Sequence, residues 1–400
     1  MRCYHDSVRM GPTLFRLRER HVLPLAMFFG TFSWSFVYIS LPFHIQRIST
    51  WDDVSTLAWS GWILGIPNLV TVAAAPFWGG LAERRNTKRL YVMAQAFQGV
   101  AFLGMAVART LPELLVVRLV LGFIGASSTF AFVSAGRNAD PGEVRRQVAS
   151  VQSAMTVGQV IGPLVGAVAA ARLGFRESFV VGAIILFGCG ALARWGLRDL
   201  GDVGRRPTVA APVRWREVLI VSCIVLGGSA QVFFLTSILP QVLPPLGVPA
   251  DRTLEIGGLL MFASGVAAAF ASMLASRLGA LLPERRLIPG LLALSSLLVV
   301  ALAAARSVWP FGVLRFLQVA CIAPVFPIVV GRVAHSAGGR AIGVINAARI
   351  GAAFLGPVIA TSLLAWTSLS AVYATLALMG LVCVPLAARP LTAGRAEGRT

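Results

Sequence analysis

The sequence predicts an all-α integral membrane protein of 12 transmembrane helices, folded as two six-helix bundles that repeat one another. Three observations lead there. The 400 residues are 57% apolar and only 13% charged, with a mean hydropathy of +0.79, a composition that leaves too little polar surface for a soluble domain. The apolar residues gather into twelve runs, each long enough to cross the hydrocarbon, for which about 20 residues suffice. The last six runs repeat features of the first six at a nearly constant offset.

In order along the chain, the first run (22–45) follows a basic stretch. It is long, lacks a small-residue cleavage site and precedes eleven others, so it reads as an uncleaved span and not as a signal peptide. Runs at 57–79, 90–108, 112–135, 147–171 and 177–193 complete the first set; those at 217–239, 253–276, 287–305, 308–331, 341–365 and 369–388 form the second. A span surrounded by lipid must satisfy its own backbone, so all twelve are expected to be helical. The longest polar stretch between runs divides six from six. The expected organisation is an N-tail (1–21), a bundle (22–197), a linker (198–216), a second bundle (217–388) and a C-tail (389–400).

The repeat is visible in two places. LPELLVVRLVLG around Arg118 pairs with VWPFGVLRFLQV around Arg315, 197 residues later, and GQVIGPLVGA (158–167) pairs with AAFLGPVIAT (352–361), 194 residues later. Internal duplication of this kind marks secondary transporters.

The net charge of +19 is a topology signal. The N-tail, the even-numbered connections and the C-tail hold 26 of the Lys and Arg residues and the odd-numbered connections 6, which by the positive-inside rule makes both termini cytoplasmic and gives no reason to expect nucleic acid. Cys3, Cys189, Cys223, Cys321 and Cys383 are mutually distant in sequence, and His5, His21, His44 and His335 show no ligand spacing. No metal or cofactor is expected. The lack of a GK[ST] phosphate loop argues against an ATP-driven pump, and nothing points to an enzyme.

Gly79-Gly80-Leu81-Ala82-Glu83-Arg84-Arg85-Asn86-Thr87-Lys88-Arg89 resembles the cytoplasmic loop motif of the major facilitator superfamily. Gly79, Leu81, Ala82, Arg84 and Lys88 match it, and Glu83 stands for its aspartate. Asn86 and Thr87 depart from it, which weakens the expected charge network. The resemblance implies a clamp between the halves on the cytoplasmic side in the outward-facing state. In the fifth run Gly158, Gly162, Pro163 and Gly166 resemble the superfamily's antiporter motif. Glycines at i, i+4 and i+8 let another backbone approach one helix face, and a proline bends the helix. Together with Pro76–Arg89 and Gly-Phe-Arg-x-x-Phe at 174–179, these residues resemble twelve-helix bacterial drug:proton antiporters.

Three arginines lie inside the runs: Arg118, Arg315 with Gln318 three residues on, and Arg349, about nine residues into the eleventh. At the bilayer centre each costs roughly 2.5–3.5 kcal/mol on insertion scales, so each needs water, substrate or a polar partner. In the family pattern helices 1, 4, 7 and 10 line the path, which adds Thr31, Trp34, Ser35 and Tyr38 from the first run and Ser229 and Phe233, with Ser222 on the same face, from the seventh. None of the 16 acids falls in the middle of a run. The nearest proton-coupling candidates are Glu113 and Glu255 at run ends and His44 at the outer end of the first. A path with arginines and no acid favours anionic, zwitterionic or neutral amphiphiles, and weighs against proton coupling.

The expectation is a monomeric, multi-pass inner-membrane exporter that moves small amphiphilic molecules against protons by alternating access. Two other readings remain open: a transporter dedicated to one metabolite, such as an organic anion or siderophore, and a transporter-like sensor or assembly factor that moves nothing.

Overall fold

The computed structural model describes residues 12–135, 141–197, 215–281, 283–334 and 339–388; both expected tails and nearly all of the expected linker lie outside them, apart from the helical stretch that begins at Pro12. Among the described residues there are 12 helical spans long and apolar enough to cross a membrane, from His21–Ile48 to Leu369–Ala388, and no strand.

Four spans are interrupted, and they are the first, fourth, seventh and tenth. The first divides into Pro12–Tyr38 and Leu41–Ile48, the fourth into Leu111–Ile124 and Ser127–Ala135. The seventh divides into Trp215–Phe233 and Leu235–Val242, the tenth into Val308–Ile322 and Val325–Ala334. The interruptions obey the repeat: those of the first and seventh spans correspond, as do those of the fourth and tenth. Local sequence accounts for those of the first, fourth and tenth spans. Pro42 and Pro324 lack the N–H that would continue the ladder, and at Gly125 the bond shortens to the i−3 type, Gly125 N–H donating to the Gly122 carbonyl at 3.3 Å.

Carbonyls freed at a break need other donors inside a membrane, and side chains supply them. At the fourth-span break the Thr71 hydroxyl donates to the Gly122 carbonyl (2.9 Å), Trp78 Nε1 to that of Phe123 (2.5 Å) and Gln98 Nε2 to that of Ile124 (3.1 Å). After the breaks of the first and seventh spans, Ser40 donates to the Val37 carbonyl (3.0 Å) and Ser237 to that of Phe234 (2.6 Å).

The bundles touch chiefly through two pairs of spans, and the outer segments of the first and seventh spans also meet. The second meets the eleventh, where Asn68 Nδ2 donates to the Ala353 carbonyl at 3.3 Å and the Trp62 ring stands edge-on to Phe354 at 5.6 Å. The fifth meets the eighth, with Gly258 seated against the Pro163 carbonyl. These contacts lie toward the end where the odd-numbered connections gather. There one apolar core crosses both bundles, joining Ile39, Leu57, Ala167 and Ala170 to Leu235, Leu239 and Ala352. At the opposite end each bundle has its own core, around Met27, Trp78 and Phe130 in the first and Val221, Ile288 and Ile345 in the second. The halves are joined at the odd-numbered end and part toward the other.

The motif beginning at Gly79 is more helical than a loop. The second helix runs Asp53–Arg84 and the third begins at Thr87, so only Arg85 and Asn86 separate them. Asn86 makes so short a turn possible by capping the new helix, its side chain accepting from the Lys88 and Arg89 N–H groups at 3.0 and 3.3 Å.

Candidate substrate path

In the first bundle Arg118 is 2% exposed. Its Nε donates to the Ile63 carbonyl at 3.0 Å and its Nη2 to that of Leu64 at 3.3 Å. The Ile63 carbonyl is available because its helical partner would be Pro67, which has no N–H. The guanidinium lies 5.8 Å from the Trp34 ring and 5.9 Å from the Tyr38 ring, within cation–π range. Trp34 is fixed in turn, its Nε1 donating to Gln98 Oε1 at 2.8 Å while Gln98 Nε2 reaches Ser127 at 2.8 Å. Trp34, Ser35 and Tyr38 are half-buried. Thr31 is a link between spans, its hydroxyl hydrogen-bonded to the carbonyls of Met27 (2.8 Å) and Met155 (3.1 Å).

In the second bundle Arg315, 1% exposed, sits in a closed ring of hydrogen bonds. Its Nη1 donates to Gln318 Oε1 (2.6 Å) and the Gln231 carbonyl (2.8 Å), and its Nη2 to the Val232 carbonyl (2.6 Å). Gln318 Nε2 donates to Ser295 (2.9 Å), Ser295 to Gln231 Oε1 (2.8 Å), and Gln231 Nε2 to Ser296 (2.9 Å) and the Leu376 carbonyl (3.0 Å). Spans 7, 9, 10 and 12 are thereby tied together. Phe234 covers the guanidinium at 5.2 Å. Gln231, Ser295 and Ser296 had no place in the sequence expectation; their only signal is polarity inside apolar runs. Ser229 and Phe233 are half-buried on the seventh span.

The fifth-span glycines do what their spacing suggests. A Cβ at Gly158 would lie 2.5 Å from the Phe28 carbonyl oxygen, one at Gly162 2.6 Å from Ser35 Cβ and 2.9 Å from the Phe32 carbonyl, and one at Gly166 would clash with the Phe36 carbonyl. The fifth span therefore lies backbone to backbone on the first, and its other side meets the eighth.

The titratable candidates separate. Glu113 caps its own helix: its carboxylate accepts from the Arg109 N–H at 2.8 Å, and Thr110 accepts from the Glu113 N–H, a capping-box pairing. Glu255 is half-buried in the first turn of Thr253–Leu281. His44 is 2% exposed, both ring nitrogens lack a hydrogen-bond partner, and its ring stands edge-on to Phe179 at 5.1 Å. In the motif between spans 2 and 3, Gly79 has no neighbour where a Cβ would be and Arg84 is exposed. Lys88 Nζ donates to the Leu197 carbonyl at the end of the sixth helix. The Glu83 side chain lies outside the described residues. Arg349 is half-buried on the eleventh span, its guanidinium 5.0 Å from the Phe326 ring.

The sequence model of the Major Facilitator Superfamily matches residues 23–257. Among curated proteins, one named multidrug resistance protein MdtG from Rahnella sp. is 25% identical over 320 residues, covering 78% of this chain and 77% of the relative; the MdtG of Citrobacter koseri is 26% identical over 345 residues, 82% of each. Among solved structures, an inward-facing, unoccupied bacterial homologue of the human lysosomal transporter Spinster superposes with a TM-score of 0.69 at 15% identity, over 94% of this chain and 95% of that one.

Proposed function

Since this chain belongs to the major facilitator superfamily, a family-model match over more than half its length, we propose that it is a secondary active exporter that moves small amphiphilic molecules out of the cell in exchange for protons. It works by alternating access, as a monomer in the inner membrane with both termini in the cytoplasm, and the work is transport, with no covalent chemistry. The observation that carries this reading is the seating of the fifth span: Gly158, Gly162 and Gly166 press on the first-span backbone while Pro163 and Ala167 meet Gly258 of the other bundle. The antiporter motif therefore lies at the seam between the halves, where rocking must be accommodated. The names of the relatives support efflux of drugs, and the distribution of cores fits a state closed on the outer side and open to the cytoplasm. Tyr38, Trp34, Ser35, Ser229 and Phe233, half-buried on spans 1 and 7, are the substrate-facing surface in this reading.

The test is uptake into inverted vesicles with and without a protonophore, over a panel of cationic, neutral and anionic compounds. Accumulation of several unrelated compounds, abolished by the protonophore, is the expected result. Uptake of a single solute into whole cells, with no accumulation in the vesicles, would overturn it.

A further inference from the structure

Arg349 and Phe326 touch where spans 7, 10 and 11 converge, and Ser222 lies on the seventh span. Arg349 Nε is buried without a hydrogen-bond partner, and so is the Ser222 hydroxyl. The packing register brings them level. A Cβ at Gly356 would lie 3.0 Å from the Ala230 carbonyl, and one at Gly351 would lie 3.7 Å from Leu226 Cδ1; seven residues back along both helices of this parallel pair, Arg349 comes level with Cys223, the neighbour of Ser222. Arg349 precedes Gly356 by seven residues, two helical turns, and so shares its face toward the seventh span. Ser222 precedes Leu226 by four and lies on the face that meets the eleventh. Phe326, in the first turn of Val325–Ala334, closes the third side and holds the guanidinium by its ring at 5.0 Å.

The depth of this group matters as much as its composition. Ala352, three residues beyond Arg349, belongs to the core that joins the bundles, whereas Ile345, four residues before it, belongs to the core of the second bundle alone. Arg349 stands at the level where the halves begin to part. None of the chain's 16 acids lies in the middle of a span, so no carboxylate of the protein at that depth answers the cation. Arg118 and Arg315 are each held on two backbone carbonyls; the Nε of Arg315, like that of Arg349, is buried without a partner, but among the described residues Arg349 has no carbonyl anchor of the kind that holds the other two. Buried donors left without an acceptor are costly, and a guanidinium pairs most strongly with a carboxylate or similar oxyanion.

We propose that Arg349 and Ser222, with Phe326 positioning the guanidinium, form a subsite for the anionic head group of a substrate, a carboxylate or sulfonate on an apolar body. This rests on the export reading and narrows it to which amphiphiles are selected. The test uses two probes that differ in the head group alone, 8-anilinonaphthalene-1-sulfonate and the neutral N-phenyl-1-naphthylamine, titrated by fluorescence against protein in lipid nanodiscs with empty nanodiscs subtracted. Arg349→Ala is expected to weaken sulfonate binding at least ten-fold and the neutral probe less than three-fold. Arg349→Lys should restore part of the loss, and Ser222→Ala should cost the sulfonate a few-fold. Unchanged sulfonate binding in Arg349→Ala, or an equal loss of both probes in Arg349→Ala and Arg349→Lys, would overturn the subsite. If wild-type vesicles export nothing while the sulfonate still binds through Arg349, the export reading fails and the subsite stands.

Discussion

Arg118 and Arg315 occupy the same place in the two copies of the repeat, and the protein uses them differently. Arg315 is enclosed by side-chain amides, hydroxyls and carbonyls from four spans. Arg118 is held on one side by two carbonyls of the second span, while on the other it faces Trp34 and Tyr38, which are themselves half-buried. A duplicated buried cation has thus become a structural knot in the second bundle and the backing of an aromatic wall in the first. The seams between spans diverge too. Where the fifth span has Gly158, Gly162 and Gly166, the eleventh has Ala352, Gly356 and Ala360, so the first bundle brings backbone against backbone at three glycines and the second at Gly356 alone.

The sharpest way to break this comparison is Arg315→Ala. It removes four buried interactions at once, counting the three hydrogen bonds Arg315 donates and the contact with Phe234. Interhelical hydrogen bonds in membranes average about 0.6 kcal/mol and reach about 1.7, so the expected loss is about 2 to 4 kcal/mol, read as a lower melting temperature and poorer recovery of monodisperse protein in detergent. Arg315→Lys should not rescue it, because a point ammonium cannot reproduce the planar fork. Arg118→Ala is expected to cost about 1 to 2 kcal/mol on the same scale and to alter the range of compounds exported. If Arg118→Ala proved the more destabilising of the two, the contrast between knot and wall would be wrong.

A second, smaller effect separates the seams. Gly162→Ala places a methyl 2.6 Å from Ser35 Cβ and 2.9 Å from a carbonyl oxygen; it should abolish or strongly impair efflux in vesicles. Gly356→Ala meets the Ala230 carbonyl at 3.0 Å and should retain partial activity. Ala360→Gly should be close to neutral. Equal tolerance at Gly162 and Gly356 would mean that the two seams do not differ.

The smallest effect tests the wall. Trp34→Phe keeps the stacking surface and loses the bond to Gln98, so protein yield should be unchanged and the concentration for half-maximal efflux should rise two- to five-fold. No change at all would remove Trp34 from the path.

Much of this was legible in the sequence, and the division between legible and hidden has a physical reason. Twelve spans and their repeat follow from hydrophobicity, which acts locally and can be read along one dimension. The breaks were half-legible: Pro42, Gly125 and Pro324 are visible, but a proline inside a span does not say whether the helix bends or stops, and Pro163 sits within an unbroken helix. Glu113 was open to a second reading, since Thr110-x-x-Glu113 is a capping box as well as an acid at a membrane edge. Of the Arg315 ring only Gln318, three residues on along the same span, was legible; Gln231, Ser295 and Ser296 lie on other spans and are joined to it by no spacing rule. The Pro67 vacancy that Arg118 fills lies 55 residues from it at the Ile63 carbonyl. Such pairings are decided by how helices are laid side by side, which hydropathy does not encode.

The central claim, that two bundles alternate about a midplane path, is tested most directly by measuring distances at both ends of one protein. With the native cysteines replaced, spin labels are placed at Trp51 and Arg252 on the odd-numbered end and, in a second sample, at Arg89 and Arg285 on the other; all four positions are exposed. Pulsed electron resonance would then follow each pair as an exported compound from the vesicle panel is added, at neutral and at acidic pH. The account predicts that the first distance lengthens while the second shortens. Two distances that stay fixed in every condition, or that change in the same sense, would contradict it.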